Sequence, residues 1–247
     1  MDAIILAAGF GTRLKPITDH IPKALVEIEG KPMLRRIIES LSTRGVDRIC
    51  VNTHHFSSQV IDFLGTRSWD VEIKISDETE MLLDTGGGVV KAFSVLGCED
   101  PVLVHNVDIL SNADIRALYS AHLESGADVT LLVSDRESKR KLIFDPSMTL
   151  KGWHNHADNI YRPENIETAA GDKEYAFSGI YVIGAKAIKE MKEIVGKEKF
   201  PVMDYLLHPQ RKSLVKGYEQ PSLQLLDIGK PATLVQASDI LSRLEES

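Results

Sequence analysis

The sequence predicts an α/β protein built on a mostly parallel, Rossmann-like sheet with helices on its faces. Short apolar runs alternate with amphipathic helical segments, the first run opens directly into a glycine-rich segment, and two later runs each end near an aspartate. Alternating strands and helices are typical of parallel sheets with right-handed crossovers, and such sheets bind ligands at the carboxyl ends of their strands. We therefore expect the chemistry at that edge.

Composition restricts the class of protein. The chain has 247 residues, 43% of them hydrophobic and 26% charged, with a net charge of −7. This is ordinary globular material, and its negative charge argues against nucleic acid or a membrane surface as the main partner. The first residues lack the basic region of a signal peptide, and no apolar run is long enough to span a bilayer, so a cytoplasmic location is expected. Cys50 and Cys98 are expected to be reduced and packed.

The first element is a buried strand at residues 3–5, followed by the loop L-A-A-G-F-G-T-R-L at residues 6–14. Gly9 and Gly11 would let backbone N–H groups approach a ligand closely, and Arg13 and Lys23 supply positive charge nearby. Glycine-rich loops and fixed cations together favour a phosphate ligand. The spacing is neither the dinucleotide fingerprint, because Leu14 stands where a third glycine belongs, nor a Walker loop.

The next segments continue the alternation. A helix is predicted between Pro32 and Gly45, a strand at 47–52, a helix at 56–64, and an edge strand at 71–75 where apolar and charged residues alternate. A polar approach at 77–85 then reaches Gly86, Gly87 and Gly88, which are expected to open a helix at 89–93. Three glycines in a row suit either close approach to a flat group such as a nucleobase or a flexible turn.

A central strand at 101–104 delivers Asn106 and Asp108 at its end, where an aspartate is well placed to hold Mg²⁺ or simply to turn the chain. Asn112 is expected to cap a helix that ends at Gly126, with His122 packed on its buried face. A strand follows at 127–133. Short strands and turns replace the alternation over residues 136–174.

The last third returns to the α/β pattern. A strand at 175–183 carries Ser178-Gly179 in its interior, where glycine indicates a bulge or a close ligand approach. Helices are predicted at 186–194 and 201–207, and the run at 223–229 presents Asp227. A final helix begins at Pro231, with these side chains expected inward: Leu234, Ala237, Leu241 and Leu244. No linker separates these parts, so residues 1–247 are predicted to form one domain.

Two histidine groups raise the question of zinc. His54-His55 and the triplet His154-Asn155-His156 both lie on polar segments. Neither has a cysteine partner or an H-E-x-x-H helix, so the sequence favours solvated histidines over metal ligands.

Several of these motifs together resemble the sugar-1-phosphate nucleotidylyltransferases. The resemblance rests on L-A-A-G-F-G-T-R-L-K-P-I-T and P-K-A-L-V-E-I-E-G-K-P-M, then on L-D-T-G-G-G at 83–88, N-V-D at 106–108, F-S-G-I at 177–180 and L-D-I-G at 226–229. It implies a fold of the nucleotide-diphospho-sugar transferase type, a mixed and mostly parallel sheet with a small sugar-binding β excursion at 136–174.

The resemblance also implies roles for individual residues. Arg13, Lys23, Asp108 and Asp227 would be catalytic, with Asp108 and Asp227 holding Mg²⁺, although Val107 stands where many members have glycine. The nucleotide-binding residues would be Leu6, Ala7, Ala8, Gly9, Gly11, Thr12, Asp84, Gly87 and Asn106. The substrate-binding residues would be Arg162, Ser178 and Gly179.

The implied reaction joins a sugar 1-phosphate to a nucleoside triphosphate and releases pyrophosphate. The loop resembles that of uridylyl and cytidylyl members, and the L-D-T-G-G-G segment resembles that of the muramate enzymes. This resemblance implies UTP with N-acetylmuramic acid 1-phosphate, which would supply a cell-wall precursor; the alternative is GTP with mannose 1-phosphate or a related sugar. A non-catalytic nucleotide-sugar sensor is an alternative from a second class of function. A nicotinamide-dependent oxidoreductase is disfavoured because the dinucleotide fingerprint is absent. The residues do not predict the oligomeric state.

Overall fold

A computed structural model describes residues 1–245 of the chain. Its strands are β1 (Asp2–Leu6), β2 (Glu27–Ile28), β3 (Lys31–Pro32), β4 (Arg48–Thr53), β5 (Glu72–Asp77), β6 (Val102–Asn106), β7 (Ile109–Ser111), β8 (Val129–Ser134), β9 (Arg140–Phe144), β10 (Leu150–Asn155), β11 (Ile160–Arg162), β12 (Lys173–Ile183), β13 (Val215–Glu219) and β14 (Leu225–Asp227). Its α-helices are α1 (Met33–Thr43), α2 (Ser57–Gly65), α3 (Asp84–Leu96), α4 (Ile115–Ser125), α5 (Ala185–Val195), α6 (Val202–Leu206) and α7 (Pro231–Glu245).

One mixed sheet organises the molecule. Strands β5, β4, β1 and β6 lie side by side and run parallel, as the alternation of strands and helices predicts. Strand β12 then pairs antiparallel with β6, and β8 lies beyond it with β13 at its other side. The prediction of a Rossmann-like mixed sheet flanked by helices is confirmed, with β5 as an edge strand, and most of its parallel pairs form one half of the sheet.

The β excursion expected at 136–174 is an antiparallel extension of the same sheet. The first residues of β12 pair with β9, and β9, β10 and β11 continue antiparallel from there. Strand β12 is eleven residues long and therefore serves both the central sheet and the extension. The excursion is thus continuous with the strand that pairs with β6.

Both faces of the central strands are buried, which is why these strands are mostly apolar. Ala3 and Ile5 pack with Leu34 and Leu103 on one face, while the intervening Ile4 packs on the other face. None of the helices within residues 1–245 combines the length and the apolar character needed to cross a bilayer.

Two helix starts differ from prediction. Helix α3 begins at Asp84, so the three glycines lie inside its first turns and do not precede it. Helix α4 is capped by Asp114, whose carboxylate accepts a hydrogen bond from Ala117 N at 2.9 Å. Asn112 bonds the chain before β14 instead, with its Oδ1 2.8 Å from Gln224 N. His122 is buried, as predicted.

Three of the four side chains that were expected to face inward on α7 are described. Ala237 and Leu241 are buried and Leu234 packs against the same core, as expected. The side chain of Leu244 lies outside the described residues.

Candidate active site

The carboxyl ends of three parallel strands meet at one edge of the sheet. Leu6, the last residue of β1, pairs in register with Asn52 of β4 and with Asn106 of β6. The glycine-rich loop leaves β1 at this edge, and Val107 N donates to Leu6 O at 3.1 Å. The edge predicted for ligand binding is thus bounded by the loop and by two asparagines.

A buried asparagine holds the loop in place. Asn52 Oδ1 accepts hydrogen bonds from Ala7 N at 2.6 Å and Ala8 N at 3.3 Å. Its Nδ2 donates to Glu78 Oε1 at 2.8 Å, and Glu78 Oε2 accepts from Leu83 N at 2.9 Å. Buried polar groups need such partners, so this network fixes the loop backbone before any ligand binds.

Burial raises the pKa of Glu78 despite its hydrogen bonds from Leu83 and Asn52. Neither Asn52 nor Glu78 was singled out from the sequence, although a polar residue near the carboxyl end of a buried strand is the same signal that identified Asn106.

The two glycines of the loop have different reasons to be glycine. Gly11 has φ +64°, and an added Cβ would lie 2.9 Å from Thr18 Cγ2 and 3.0 Å from Lys23 Cβ. At Gly9 no heavy atom lies within 4 Å of an added Cβ among the described residues, and its φ is not in the left-handed region. Gly11 is therefore required by the fold, whereas the open space at Gly9 suits close approach by a ligand.

Lys23 and Asp108 form an ion pair at this edge. Lys23 Nζ bonds Asp108 Oδ2, and the two side chains are only 11% and 17% exposed. Lys23 belongs to a short 3-10 turn, Lys23–Leu25, and Asp108 follows β6 directly. Two residues far apart in sequence are thus brought into direct contact.

Asp227 reaches the same place through a small second sheet. Strands β7 and β14 pair antiparallel, with Asp227 opposite Ile109, and Ile228 N donates to Asp108 O at 2.8 Å. Burial raises the pKa of Asp227, and the negative charge of Asp108 raises it further, against the opposing effects of Lys23, Arg13 and Arg136. Two carboxylates close enough to oppose each other's ionisation are suited to share a cation.

Arg13 completes the charged group. Its guanidinium lies 4.0 Å from Asp227 Oδ2, and the two side chains are 56% and 49% exposed. Gly229 makes this approach possible, because a Cβ there would lie 2.6 Å from an Arg13 nitrogen. An exposed pair at that distance is weak, so Arg13 can turn toward an anionic ligand at little cost.

A cavity of about 260 Å³ lies between the loop, α3 and the end of β6. It is lined by Leu6, Ala7, Ala8, Gly9, Phe10, Lys23, Asn52, Leu82, Asp84, Thr85, Asn106, Val107 and Asp108. A larger cavity of about 960 Å³ is lined by residues 77–81 and by parts of α3 and of residues 192–200, with lysines, acidic residues and apolar side chains together. We assign the site to the smaller cavity because it contains the ion pair and the loop.

The family model for nucleotidyl transferases matches residues 2–142, which include the loop, Lys23 and Asp108. The chain belongs to the nucleotidyl transferase family. This confirms the family predicted from the motifs.

Characterised members of the family are similar over part of their length. The N-acetylmuramate alpha-1-phosphate uridylyltransferase of Caulobacter vibrioides is 37% identical over 139 residues, covering 53% of this chain and 57% of that protein. The D-glycero-alpha-D-manno-heptose 1-phosphate guanylyltransferase of Aneurinibacillus thermoaerophilus is 34% identical over 131 residues, covering 53% and 56%. The matched region thus spans a little over half the length of these relatives.

A solved structure has the same fold over nearly the whole chain. The HddC protein of Yersinia pseudotuberculosis, solved in complex with GMP-PN, has a TM-score of 0.76 and 24% identity, with 97% of this chain and 99% of that chain covered. At this identity the likeness concerns the fold.

Several residues predicted from the family motifs lie elsewhere. Gly87 lines the larger cavity, and a Cβ there would lie 2.0 Å from Glu198 O, so its lack of a side chain serves packing against residues 198–200. Arg162 lies over the Trp153 ring at 5.6 Å and lines a third cavity. Thr12 begins a 3-10 turn and is exposed.

Ser178 and Gly179 form an irregularity in β12, as predicted for a glycine inside a strand. The register shifts between Phe177 and Tyr181, and Gly179 has φ +78°. Ser178 Oγ accepts from Ile180 N at 3.2 Å, and a Cβ on Gly179 would lie 2.6 Å from Asn106 Nδ2. The close approach here is to Asn106, the last residue of β6.

Proposed function

We propose that the protein transfers a nucleotidyl group from a nucleoside triphosphate to a sugar 1-phosphate and releases pyrophosphate. The observation that carries the proposal is the convergence of Lys23, Asp108, Asp227 and Arg13 beside the glycine-rich loop. Family membership and the activities of the sugar-phosphate relatives support it.

The loop and Arg13 would bind the triphosphate. Open space at Gly9 allows the phosphates to approach the loop backbone there, while Asn52 holds the preceding residues of the loop through Ala7 N and Ala8 N. A guanidinium that is half exposed can pair with phosphate oxygens in a bidentate manner. We assign the β and γ phosphates to this end of the site.

The carboxylates of Asp108 and Asp227 fit Mg²⁺. Their closeness raises the pKa of Asp227 beyond the effect of burial, and Lys23 bonds only one oxygen of Asp108. Mg²⁺ usually takes one or two carboxylates and leaves its other positions to substrate phosphates and water. When bound, the ion would neutralise negative charge on the phosphates.

The reaction needs little from the protein beyond positioning and charge. An anionic phosphate oxygen of the sugar 1-phosphate attacks the α-phosphorus, a new O–P bond forms, and the bond to the β-phosphate oxygen breaks with its electron pair leaving on pyrophosphate. The attacking oxygen already carries charge, so no residue has to remove a proton. Lys23 would stabilise the charge growing on the α-phosphate.

We propose UTP and N-acetylmuramic acid 1-phosphate as the substrates, with a product used for the cell wall. The uridylyltransferase relative supports this choice, whereas the guanylyltransferase relative favours the alternative of GTP with a mannose-like sugar phosphate. The excursion at 136–174 would bind the sugar within a single domain of residues 1–247. Arg162, Ser178 and Gly179 remain proposals for substrate binding, and Thr12 and Gly87 remain proposals for nucleotide binding. A cytoplasmic location remains a prediction.

The test is pyrophosphate release by the full chain with each of four nucleoside triphosphates and a panel of sugar 1-phosphates. We expect release that requires both substrates and Mg²⁺ and is fastest with UTP and N-acetylmuramic acid 1-phosphate. Preference for GTP would replace the uridylyl assignment by the guanylyl one. Nucleotide binding without release from any pair would instead identify a nucleotide-sugar sensor.

A further inference from the structure

A second group of metal-ligating side chains lies in the antiparallel extension, on elements other than those that carry Asp108 and Asp227. His154 is near the end of β10, His156 lies in the following turn, and Glu174 is on β12. His154 Nδ1 is 2.9 Å from Glu174 Oε1, and His156 Nε2 is 2.7 Å from Glu174 Oε2. Among the described residues, it is the one group of three His, Cys, Asp or Glu whose ligand atoms all lie within 4.8 Å of one another.

The sheet brings these residues together although they are distant in sequence. Strand β9 lies between β10 and β12, with Lys141 opposite His154 and Ile143 opposite Glu174. The carboxylate and the imidazole therefore meet across β9 on one face of the extension. Sequence spacing alone shows two neighbouring histidines and gives no reason to include Glu174.

The surroundings of His154 orient it as a ligand. The ring is buried and stacks on Tyr161, with centroids 3.9 Å apart and an angle of 11° between the planes. Its Nε2 lies 3.3 Å from Asn159 Oδ1. Metal-binding histidines commonly donate their second ring N–H to an oxygen of this kind, which fixes the tautomer and leaves the other nitrogen to the ion.

The carboxylate of Glu174 faces both imidazoles. His154 Nδ1 lies 2.9 Å from Glu174 Oε1, so the ring nitrogen and the carboxylate oxygen are in direct contact and can both be ligand atoms of one cation. The other oxygen of the same carboxylate faces His156, so a single cation could serve all three side chains.

We propose that His154, His156 and Glu174 bind a zinc ion that fastens the turn after β10 to β12. Two imidazoles and one carboxylate are typical zinc ligands, whereas Mg²⁺ prefers oxygen ligands in octahedral geometry. Zinc bonds of about 2.0–2.2 Å place neighbouring ligands of a tetrahedral site about 3.3 Å apart. The side chains must therefore separate slightly. His156 and Glu174, which are 43% and 31% exposed, have room to do so while His154 stays in place.

The site has a mechanical consequence. It joins both ends of the segment that contains the β10–β11 turn, β11 and the chain leading into β12. An ion there would stabilise the folded extension, by an amount that grows with the ratio of the free zinc concentration to Kd. Its three protein ligands leave a fourth position for water. Zinc binding at this place is independent of nucleotidyl transfer, so either property can fail without the other.

The test is zinc binding to the full chain after chelator treatment, in a large excess of Mg²⁺ that occupies carboxylate-only sites. We expect one zinc ion per chain by isothermal titration calorimetry and by metal analysis after dialysis. His156→Ala and Glu174→Gln should each weaken binding by at least about tenfold, since even the loss of an outer-shell partner has such an effect. His20→Ala, which removes an exposed histidine elsewhere, should bind as the parent does.

Thermal unfolding provides a second readout. Zinc should raise Tm of the parent and of His20→Ala but not of His156→Ala. The last variant keeps the backbone bond from His156 N to Lys139 O at 2.8 Å, and circular dichroism checks that it folds. The proposal is overturned if the folded parent binds no zinc. It is equally overturned if His156→Ala binds zinc as tightly as the parent, or if Asp227→Asn alone abolishes binding.

Discussion

Lys23 and Asp108 are the residues whose chemistry the proposed reaction most depends on. Their side chains are mostly buried and bond one another, beside a cavity also lined by Ala8 and Gly9. In the absence of ligand each charge is satisfied by the other. A triphosphate entering the cavity would offer Lys23 a competing anionic partner and would leave Asp108 available to a cation.

Replacement of Lys23 by methionine keeps much of the side-chain volume and removes the charge. We expect Lys23→Met to lower kcat for pyrophosphate release by about a hundredfold or more, because a transition-state electrostatic partner is lost. Lys186→Met is the matched control, since Lys186 is 73% exposed and pairs with Asp128 on the surface. A Lys23→Met variant within a few-fold of the parent would remove this lysine from the mechanism.

Glu78 predicts a pH dependence of stability. Burial raises the pKa of its carboxyl above the ordinary value of about 4.3, so the protonated form is favoured in the folded state. This contribution to stability is complete below the unfolded pKa and is lost as the pH rises through the folded pKa. The free energy of unfolding of the parent, measured relative to Glu78→Gln, should therefore fall across that window.

Urea unfolding of both proteins at a series of pH values measures this difference. Glu137→Gln alters an exposed carboxyl. The difference in free energy of unfolding between the parent and this variant should change less with pH. A difference between the parent and Glu78→Gln that stays constant, or rises with pH, would contradict the raised pKa.

In the glycine-rich loop, one glycine is required by the fold and the other is expected to serve ligand binding. Gly11 is enclosed by Thr18 and Lys23 and has φ +64°, whereas an added Cβ at Gly9 contacts nothing within 4 Å in the described part of the protein. We expect Gly11→Ala to destabilise the fold. Gly9→Ala should leave Tm nearly unchanged and raise KM for the nucleoside triphosphate, because the new methyl group occupies space that the phosphates need.

Thermal unfolding and steady-state kinetics on both variants measure these effects. A Gly9→Ala variant with unchanged KM and kcat would show that the phosphates do not approach the loop at this residue.

Local patterns predict the elements better than their ends. The amphipathic and apolar periods identify α1, β4 and β6, since their signals depend only on neighbouring residues. The predicted start of α3 is wrong because glycine has a low helix propensity, which argues against a helix through residues 86–88. The sequence does not reveal that Gly86 and Gly87 donate backbone hydrogen bonds to Phe200 O. Tertiary contact overrides propensity there.

Strand β13 was not predicted at all. Its sequence, Val215–Glu219, contains a central glycine and two charged residues, so it has little strand signal of its own. It exists because β8 offers a free edge, with Val215 opposite Val129. An edge strand of this kind is specified by its partner.

At the scale of the molecule, the sequence predicts the parallel half of the sheet and the convergence at its edge. Lys23, Asp108 and Asp227 could be grouped because strand ends in such folds share one edge and because the motifs resemble a family. The antiparallel half was less accessible, since one long strand, β12, pairs with β6, β8 and β9 and periodicity does not identify partners. For the same reason Glu174 could not be placed beside His154 from sequence.

The charged group is a product of the whole fold. Asp108 follows a strand of the main sheet, Asp227 ends a strand of the small sheet, and Lys23 and Arg13 lie in 3-10 turns between β1 and β2. No single element contains the site, so its geometry depends on the pairing of β7 with β14 as much as on the central strands.

The most direct test of this account is a crystal structure of the full chain with UTP and Mg²⁺. We expect the triphosphate along the loop with Gly9 in van der Waals contact with a phosphate, Arg13 turned toward the β and γ phosphates, and the ion held by Asp108 and Asp227. A triphosphate bound in the larger cavity lined by Lys91 and Lys192, or an ion remote from both carboxylates, would contradict it.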